Sequence, residues 1–436
     1  MTGFILLGVV SAVYALTASR LDRWSVGAPL VFVVVGALLG PGVLDQLSVP
    51  AHAEPVKLVT ESTLALLLFA DASTVVIRKD EGDVLVPVRL LLIGLPLTIA
   101  LGALLAHLIV PGASWAMAGL IATILAPTDA ALSLPVLTNR RVPIPVRRAL
   151  NIESGLNDGI ATPVVVLMIA LVAGTEPPGQ TDAPGAFRAI VVAVLVAVVV
   201  GAAGGWLVRR AKAREMTTPT SEQLAVLTLA LLSYVAAVEY DGNGFVAAFV
   251  AGLCFGPMSR HGLEEATEFT ETTGMFLSFV VWALFGAALT GPLLTRSWHG
   301  APILFALLAL TVGRMLPVAL ALAGSGLQRS TAAFMGWFGP RGLASVVFLL
   351  IAVEKLHLEE LNEPVVETVV WTITLSVLLH GLTAGPWSRR YARAISAVPG
   401  AVELAAGPEP RVRRRAVSDP AAEPDAVDHG TGRRPR

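Results

Sequence analysis

The sequence predicts an all-α polytopic membrane protein with about 13 transmembrane helices, arranged as an inverted repeat with two broken helices. The first observation is composition: 55% of the residues are hydrophobic, 14% are charged and the mean hydropathy is +0.72, whereas globular domains carry about 25% charged residues. The second is the recurrence of apolar runs of about 20 residues, the length that crosses roughly 30 Å of hydrocarbon. The third is that the fifth and twelfth of these runs contain a break near the middle.

The chain divides into a membrane domain and a polar tail. We expect a transmembrane domain over residues 1–387, with inverted repeats at about 1–174 and 221–387 that are linked by a seventh span at about 185–209. Residues 388–436 are rich in Arg, Pro, Ala, Glu and Asp, a composition typical of disordered segments. They predict a disordered cytoplasmic tail.

Basic residues concentrate in the connections that follow odd-numbered spans. By the positive-inside rule, this asymmetry places the N-terminus outside and the C-terminus in the cytoplasm of a multi-pass cell-membrane protein. The net charge of −1 gives no indication of nucleic-acid binding, and the single cysteine, Cys254, allows no intramolecular disulfide. The basic clusters include Arg20 and Arg23, Arg78 and Lys79, Arg140 and Arg141, and Arg209 and Arg210.

The two interrupted spans predict a binding site at the centre of the bilayer. Span five is broken around Pro127, and span twelve is broken at Gly339 and Pro340. Seven spans separate the breaks, so the two helices run in opposite directions, as an inverted repeat requires. Proline kinks packed away by neighbouring helices are the simpler interpretation. The charged residues Asp129 and Arg341 beside the breaks favour a site.

Span six carries four polar residues at a depth where a bilayer favours hydrocarbon. Positions four apart share a helix face, so Ser154 lies above Asp158 and Glu153 lies above Asn157 on an adjoining face. Carboxylate and hydroxyl oxygens are hard ligands of the kind that a small monovalent cation prefers. The predicted metal site is therefore for a monovalent cation only, at Asp158.

The break in span five can supply further ligands. Where the helix unwinds between Ala126 and Thr128, backbone carbonyls lose their intrahelical donors and can face an ion. Asp129 begins the next half-helix, where it either caps the free N–H groups or contacts the ion directly. Asp71 in span three either completes the cation site or lies near the membrane interface.

A buried acid on the second face of span six needs a cation to neutralise it. Arg341 is the arginine beside the break in span twelve, so we predict a structural pair between Glu153 and Arg341, with Asn157 on the same face. Arg314 also lies in an apolar run, but its position near the predicted cytoplasmic end of span eleven suggests that its stem snorkels to the interface. We assign Arg314 no role in the mechanism.

These groups predict an exchanger. A carboxylate in a partly dehydrated cavity binds either a proton or a cation, and each displaces the other, which couples the two fluxes without another energy source or a cofactor. Asp158 has Asn157 rather than a second acid beside it, so one proton is expected to exchange for one monovalent cation. Exchange would then be electroneutral.

Four motifs occur in the order and on the spans typical of one transporter family. They are residues 126–129, residues 151–159, residues 244–252 and residues 338–342. With them the chain resembles the NhaP-like bacterial sodium/proton antiporters of the monovalent cation:proton antiporter-1 family, over essentially the whole predicted membrane domain.

That resemblance implies a 13-helix fold in which a core domain moves against a dimerisation domain, in a homodimer formed through the first and seventh spans. It implies that Asp158 binds the ion, that Ser154, Thr128 and Asp129 surround it, and that Asp71 lies near an acid-bearing position of span three. It also implies that Asn157 marks the electroneutral branch and that Glu153 pairs with Arg341. The partners it implies are a monovalent cation, protons and membrane lipid.

Three alternatives remain at this stage. The transported cation is Na⁺ or Li⁺ in the main interpretation and K⁺ in the first alternative, because selectivity depends on cavity geometry. An intramembrane aspartyl protease with Asp129 and Asp158 as its dyad is the second, although the Gly-x-Gly-Asp arrangement of such proteases is absent. A cation channel is the third, which the inverted repeat disfavours.

Overall fold

A computed structural model of the chain describes residues 2–405 apart from short gaps. The longest gaps are residues 75–84, 174–182 and 357–363. The others are residues 25, 42, 49, 51–52, 260–261 and 296–297. The predicted basic pair Arg78 and Lys79, and residues 406–436 of the predicted tail, lie outside the described residues.

The described residues form α-helices joined by short connections, with no strand among them. The helices are α1 (Thr2–Arg23), α2 (Ala28–Leu39), α3 (Glu54–Thr74), α4 (Leu85–Arg89), α5 (Leu95–Ile109), α6 (Trp115–Ile124), α7 (Ala130–Leu137), α8 (Ile144–Ala173), α9 (Ala183–Val198), α10 (Gly204–Ala213), α11 (Pro219–Glu239), α12 (Gly244–Ser259), α13 (Glu264–Phe285), α14 (Gly291–Thr295), α15 (Gly300–Leu310), α16 (Val312–Ala321), α17 (Arg329–Trp337), α18 (Leu343–Leu356) and α19 (Pro364–Ser396). Three π-helical turns make continuous rods of α4 with α5, α9 with α10, and α13 with α14.

The all-helical membrane fold is confirmed. Eight helical rods in the described part of the chain are long and apolar enough to cross a membrane, and α2, α6 and α12 are shorter apolar helices. The total of thirteen spans stays a prediction. Both breaks occur where the prolines predict them, since α6 ends at Ile124 before α7 begins at Ala130, and α17 ends at Trp337 before α18 begins at Leu343.

The helices pack as two bodies. In the first, α3 packs against α12 and α13, while α2 packs against α13 and α9 against α12. In the second, α5 packs against α6, α15 against α19, and α16 against α17. The bodies meet where α8 contacts α3 and α12, and where α18 contacts α3. Both broken helices belong to the second body, which therefore carries most of the polar groups at membrane depth.

An ion pair also joins the bodies at the end where α3 begins. Lys57 of α3 donates to Glu354 near the end of α18, with an N to O distance of 2.6 Å, and both side chains are more than one third exposed. Thr60 and Glu61 of α3 line the small cavity beside this pair.

The C-terminal boundary differs from the sequence prediction. Helix α19 continues to Ser396, well past the predicted domain end at residue 387, because Ser388, Tyr391 and Ile395 are buried along one face. Residues 397–405 then fold back onto the start of α17. The prediction of disorder from residue 388 was therefore wrong for residues 388–405.

Glu403 anchors this returning segment. Its side chain is fully buried, and its carboxylate accepts hydrogen bonds from the Gln328 N–H at 2.7 Å and from the Thr331 hydroxyl at 2.6 Å. Since Gln328 is the N-cap position of α17, Glu403 supplies an acceptor to a helix start that lacks one from its own side chain.

Replacing Glu403 with alanine is expected to destabilise the protein by about 1–3 kcal/mol, because the Thr331 hydroxyl and a helix-capping N–H lose a buried acceptor. The measurement is the unfolding temperature of the detergent-solubilised protein, compared with Glu403→Gln, which keeps an acceptor, and with Glu268→Ala on an exposed helix face. Equal unfolding temperatures for Glu403→Ala and Glu268→Ala would contradict the assignment.

Candidate cation site

Helix α8 carries the polar residues of span six through the middle of the molecule. Glu153, Ser154 and Asn157 are each at most 3% exposed, whereas Asp158 is half-buried. The helix stays regular across this polar run because its backbone bonds remain intrahelical, so side chains four residues apart share a face as predicted. Ser154 and Asp158 therefore present a hydroxyl and a carboxylate on one side of α8.

The unwound segment between α6 and α7 meets this polar face through Thr128. The Thr128 hydroxyl lies 3.1 Å from the Ser154 hydroxyl and accepts a hydrogen bond of 2.6 Å from the Asn157 amide. Asn157 thus bonds to the break in span five. The Oδ1 atom of Asn157 is enclosed and has no hydrogen-bond partner among the described residues, which leaves a buried acceptor oxygen beside the two hydroxyls.

Asp71 lies on α3 opposite the same stretch of α8. The backbone at Gly155 comes so near that a Cβ there would lie 3.9 Å from the Asp71 Cβ. Gly155 is three residues before Asp158, so the two lie on neighbouring parts of one face. Asp71 is half-buried. The second body is thus in contact with an acid of the first body within a helical turn of Asp158.

Asp129 caps two helices at once. Its Oδ1 accepts from the N–H groups of Ala131 at 2.6 Å and Leu132 at 3.1 Å, at the start of α7. Its Oδ2 accepts from the Leu343 N–H at 2.8 Å, at the start of α18. Its own N–H donates to the Pro340 carbonyl at 2.9 Å. Of the two roles considered from the sequence, the structure places Asp129 in the capping role, and it extends that role to the second broken helix.

Arg341 binds the C-terminal end of the half-helix α6. Its guanidinium donates to the carbonyl of Ala126 at 2.6 Å and approaches that of Pro127 at 3.4 Å, just past the end of α6. Carbonyls at a helix C-terminus carry partial negative charge, which a guanidinium stabilises. Arg341 thus binds carbonyls that the sequence analysis offered to an ion, and ion contact by the carbonyls from Ala126 to Thr128 stays a prediction.

The partner of Glu153 is Arg314, and the predicted pair with Arg341 was wrong. Arg314 of α16 donates to the Glu153 carboxylate in a short ion pair, and both side chains are 2% exposed. The Arg341 guanidinium binds the carbonyls at the end of α6 instead. Arg314 was set aside because it was placed near a membrane interface. A kink at Thr311, where α15 gives way to α16, separates the helix into two parts, and Arg314 follows it on the buried side.

Two glycines of the second break make room for these charges. A Cβ at Gly342 would collide with the Asp129 carboxylate, and a Cβ at Gly339 would crowd the Arg314 guanidinium and the Thr128 methyl group. The glycines thus serve close approach as well as helix breaking. Of the predicted site residues, the structure brings Thr128, Ser154 and Asn157 into direct contact.

A double-mutant cycle distinguishes the two candidate partners of Glu153. We expect Glu153→Gln and Arg314→Gln each to cost about 3–5 kcal/mol, since each leaves a buried charge without its partner. The two changes are expected to be strongly non-additive, whereas Glu153→Gln combined with Arg341→Gln is expected to be closer to additive. The readout is chemical unfolding in detergent. A larger coupling with Arg341 than with Arg314 would overturn the assignment.

Gly342→Ala is expected to destabilise the protein by about 1–3 kcal/mol, because the added methyl group displaces the carboxylate that caps α7 and α18. Gly300→Ala is the control, since nothing lies within 4 Å of a Cβ at that position. Gly112 also has open space around it, but its positive φ would add backbone strain to an alanine variant. Unfolding temperatures of the two variants provide the comparison. Similar values would show that Asp129 tolerates displacement.

Comparison with known proteins gives one consistent match. Residues 7–390 match the family described as the transmembrane sodium/hydrogen exchanger. The Na(+)/H(+) antiporter NhaP of Pseudomonas aeruginosa is 28% identical over 287 residues, covering 62% of this chain and 65% of the relative. The K(+)/H(+) antiporter NhaP2 of Shewanella baltica is 24% identical over 364 residues, covering 80% of this chain and 60% of the relative.

The fold matches a solved structure as well. The sodium proton antiporter MjNhaP1 from Methanocaldococcus jannaschii superposes with a TM-score of 0.68 at 20% identity, covering 87% of this chain and 99% of that one. This chain spans about 60% of the length of several of the curated relatives it matches. Because the family match covers most of the chain, the predicted resemblance is confirmed: the chain belongs to the transmembrane sodium/hydrogen exchanger family.

Proposed function

We propose that this protein is an antiporter that exchanges a monovalent cation, Na⁺ or Li⁺, for H⁺ by alternating access, with the Asp158 carboxylate binding either ion. The observation that carries the proposal is the oxygen-rich cluster where the break in span five crosses α8. It contains the hydroxyls of Thr128 and Ser154 and the buried Asn157 Oδ1, with Ser154 one helical turn from Asp158. Hydroxyl, amide and carboxylate oxygens suit a hard cation.

The other acids near the site support assigning the exchange to Asp158. Asp129 is held by three backbone N–H groups, and Glu153 is paired with Arg314, so the charge of each is balanced by a fixed group. Neither pairing changes when an ion enters or leaves. Asp71 faces α8 from the other body and is proposed as a second ligand that reaches the ion in one conformation.

Electroneutral exchange follows from counting charges at the site. The Glu153 and Arg314 pair contributes no net charge, and Asn157 is neutral. If Asp158 alone alternates between proton and cation, one proton moves for each monovalent cation. A proton carried by Asp71 in addition would make exchange depend on the membrane potential.

The two bodies provide the parts that alternating access requires. The second body holds the breaks, Asp129, Arg341 and Asp158, and it contacts the first along α3 and α12. A movement of the second body along this boundary would carry the site from one side of the membrane to the other. We further propose a homodimer in the cell membrane, with the N-terminus outside, the C-terminus in the cytoplasm and lipid around the apolar outer faces.

K⁺/H⁺ exchange is the second candidate. Its support is that relatives covering 80% of this chain are named K(+)/H(+) antiporters. The protease alternative is weakened because both carboxylate oxygens of Asp129 are used to cap helices, which removes one member of the supposed dyad from general acid–base work. Asp129 and Asp158 therefore have unequal roles.

Replacing Asp158 with asparagine is expected to abolish cation-induced proton movement in proteoliposomes, because the amide cannot bind a proton or balance a cation's charge. The purified protein is tested with Na⁺, Li⁺ and K⁺, with and without a clamped membrane potential. Wild-type exchange that is insensitive to potential would support a one-for-one stoichiometry. Glu268→Gln, on an exposed face, is the matched control and is expected to retain wild-type exchange.

Wild-type protein that inserts correctly and moves no protons with any of the three cations would overturn the antiporter proposal. Proton movement that persists in Asp158→Asn would place the exchanging acid elsewhere, with Asp71 as the next residue to replace.

A further inference from the structure

Side chains of α19 contact the break in span twelve, in addition to the contacts made by Asp129. Between the end of α17 and the start of α18, the chain leaves the helix and its backbone groups need partners other than helical ones. Asp129 satisfies two of them, the Pro340 carbonyl and the Leu343 N–H. Two more, one on each side of the break, contact side chains of α19: the Arg341 N–H, and the Trp337 carbonyl, which also accepts from the Gly339 N–H at 2.8 Å.

Ser376 binds the C-terminal side of the break, just before α18 begins. The Arg341 N–H donates to the Ser376 hydroxyl oxygen at 2.7 Å, and the Ser376 side chain is fully buried. This bond fixes the backbone of the residue whose guanidinium binds the end of α6. The Ser376 hydroxyl therefore holds the Arg341 main chain together with the Asp129 bonds on either side of it.

His380, one turn further along α19, binds the N-terminal side of the break, where α17 ends. Its Nε2 lies 2.7 Å from the carbonyl oxygen of Trp337, the last residue of α17, and its ring stacks on the Trp337 indole with centroids 5.1 Å apart. The side chain is 1% exposed.

The two side chains are also linked to each other. A carbonyl oxygen only accepts hydrogen bonds, and each ring nitrogen of His380 lies close to one: Nε2 is 2.7 Å from the Trp337 carbonyl and Nδ1 is 2.8 Å from the Ser376 carbonyl. The Ser376 hydroxyl lies 3.3 Å from Nδ1 as well. Since the Arg341 N–H donates to that hydroxyl, polar contacts run across the break from Arg341 through Ser376 and His380 to Trp337.

We propose that His380 and Ser376 are positioning residues for cation exchange, which set the geometry of the span-twelve break and through it the geometry of the cation site. The link to the site is short. Arg341 binds the carbonyls of Ala126 and Pro127, and the next residue, Thr128, contributes a hydroxyl to the oxygen cluster. A shift of the break moves Arg341, and the unwound chain around Thr128 moves with it.

This proposal rests on the proposed antiport, and it predicts a specific kinetic change. Removing either hydrogen bond is expected to raise the cation concentration for half-maximal exchange about five-fold or more, while the maximal rate changes less than about two-fold. The site would be assembled in a smaller fraction of molecules, but the transporting conformations would be unchanged once the cation is bound.

The test uses pairs of variants of the full chain in proteoliposomes. His380→Phe keeps the ring and its stacking but has no donor, whereas His380→Gln keeps a donor for the Trp337 carbonyl. Ser376→Ala removes the hydroxyl, and Ser376→Thr retains it. Ser388→Ala is the control, because Ser388 is a fully buried serine on α19 whose hydroxyl has no partner among the described residues.

We expect raised half-maximal cation concentrations for His380→Phe and Ser376→Ala, and values within about two-fold of wild type for His380→Gln, Ser376→Thr and Ser388→Ala. Lower unfolding temperatures with wild-type cation dependence in His380→Phe and Ser376→Ala would overturn the proposal and leave a purely structural role. Wild-type activity in the same assay separates this result from failure of the antiport proposal, in which the wild type itself would be silent.

Discussion

The structure depends on satisfying backbone groups that two broken helices leave exposed inside a membrane. An unpaired N–H or C=O in hydrocarbon costs several kcal/mol, so each half-helix end needs a partner from elsewhere in the protein. Asp129 supplies acceptors to the starts of α7 and α18, and Arg341 supplies donors to the end of α6. The end of α6 and the start of α18 thereby each depend on a charge carried by the other break, and these contacts join the two breaks.

This arrangement separates the charges that hold the breaks and α8 in place from Asp158, the acid that is proposed to exchange ions. Asp129, Arg341, Glu153 and Arg314 balance helix ends or one another, and they contribute rigidity to the second body. The oxygen cluster at Thr128 and Ser154 then lies in a fixed frame. In the proposed antiport, such a frame would let the cation and the proton compete for one place without rearrangement of these ion pairs and caps.

The sequence predicts much of this fold but fewer of the side-chain contacts between its helices. Proline, glycine and hydropathy patterns located both broken helices, and helical spacing placed Ser154 with Asp158, because both effects are local. The partner of Glu153 depends on tertiary packing: the kink at Thr311 turns Arg314 inward, and no local pattern reveals it. The order of residues 388–405 was also missed, because it depends on Glu403, which binds the start of α17 from 75 residues away.

The pair formed by Lys57 and Glu354 has a consequence for the energetics of conformational change. It is the kind of exposed contact that contributes about 0–1 kcal/mol, and its strength falls as ionic strength rises. A contact of that size changes the ratio of two conformations by about five-fold at most. In the proposed movement of the two bodies, this ion pair would therefore open at little cost, and a higher ionic strength of the medium on that side would lower the cost further.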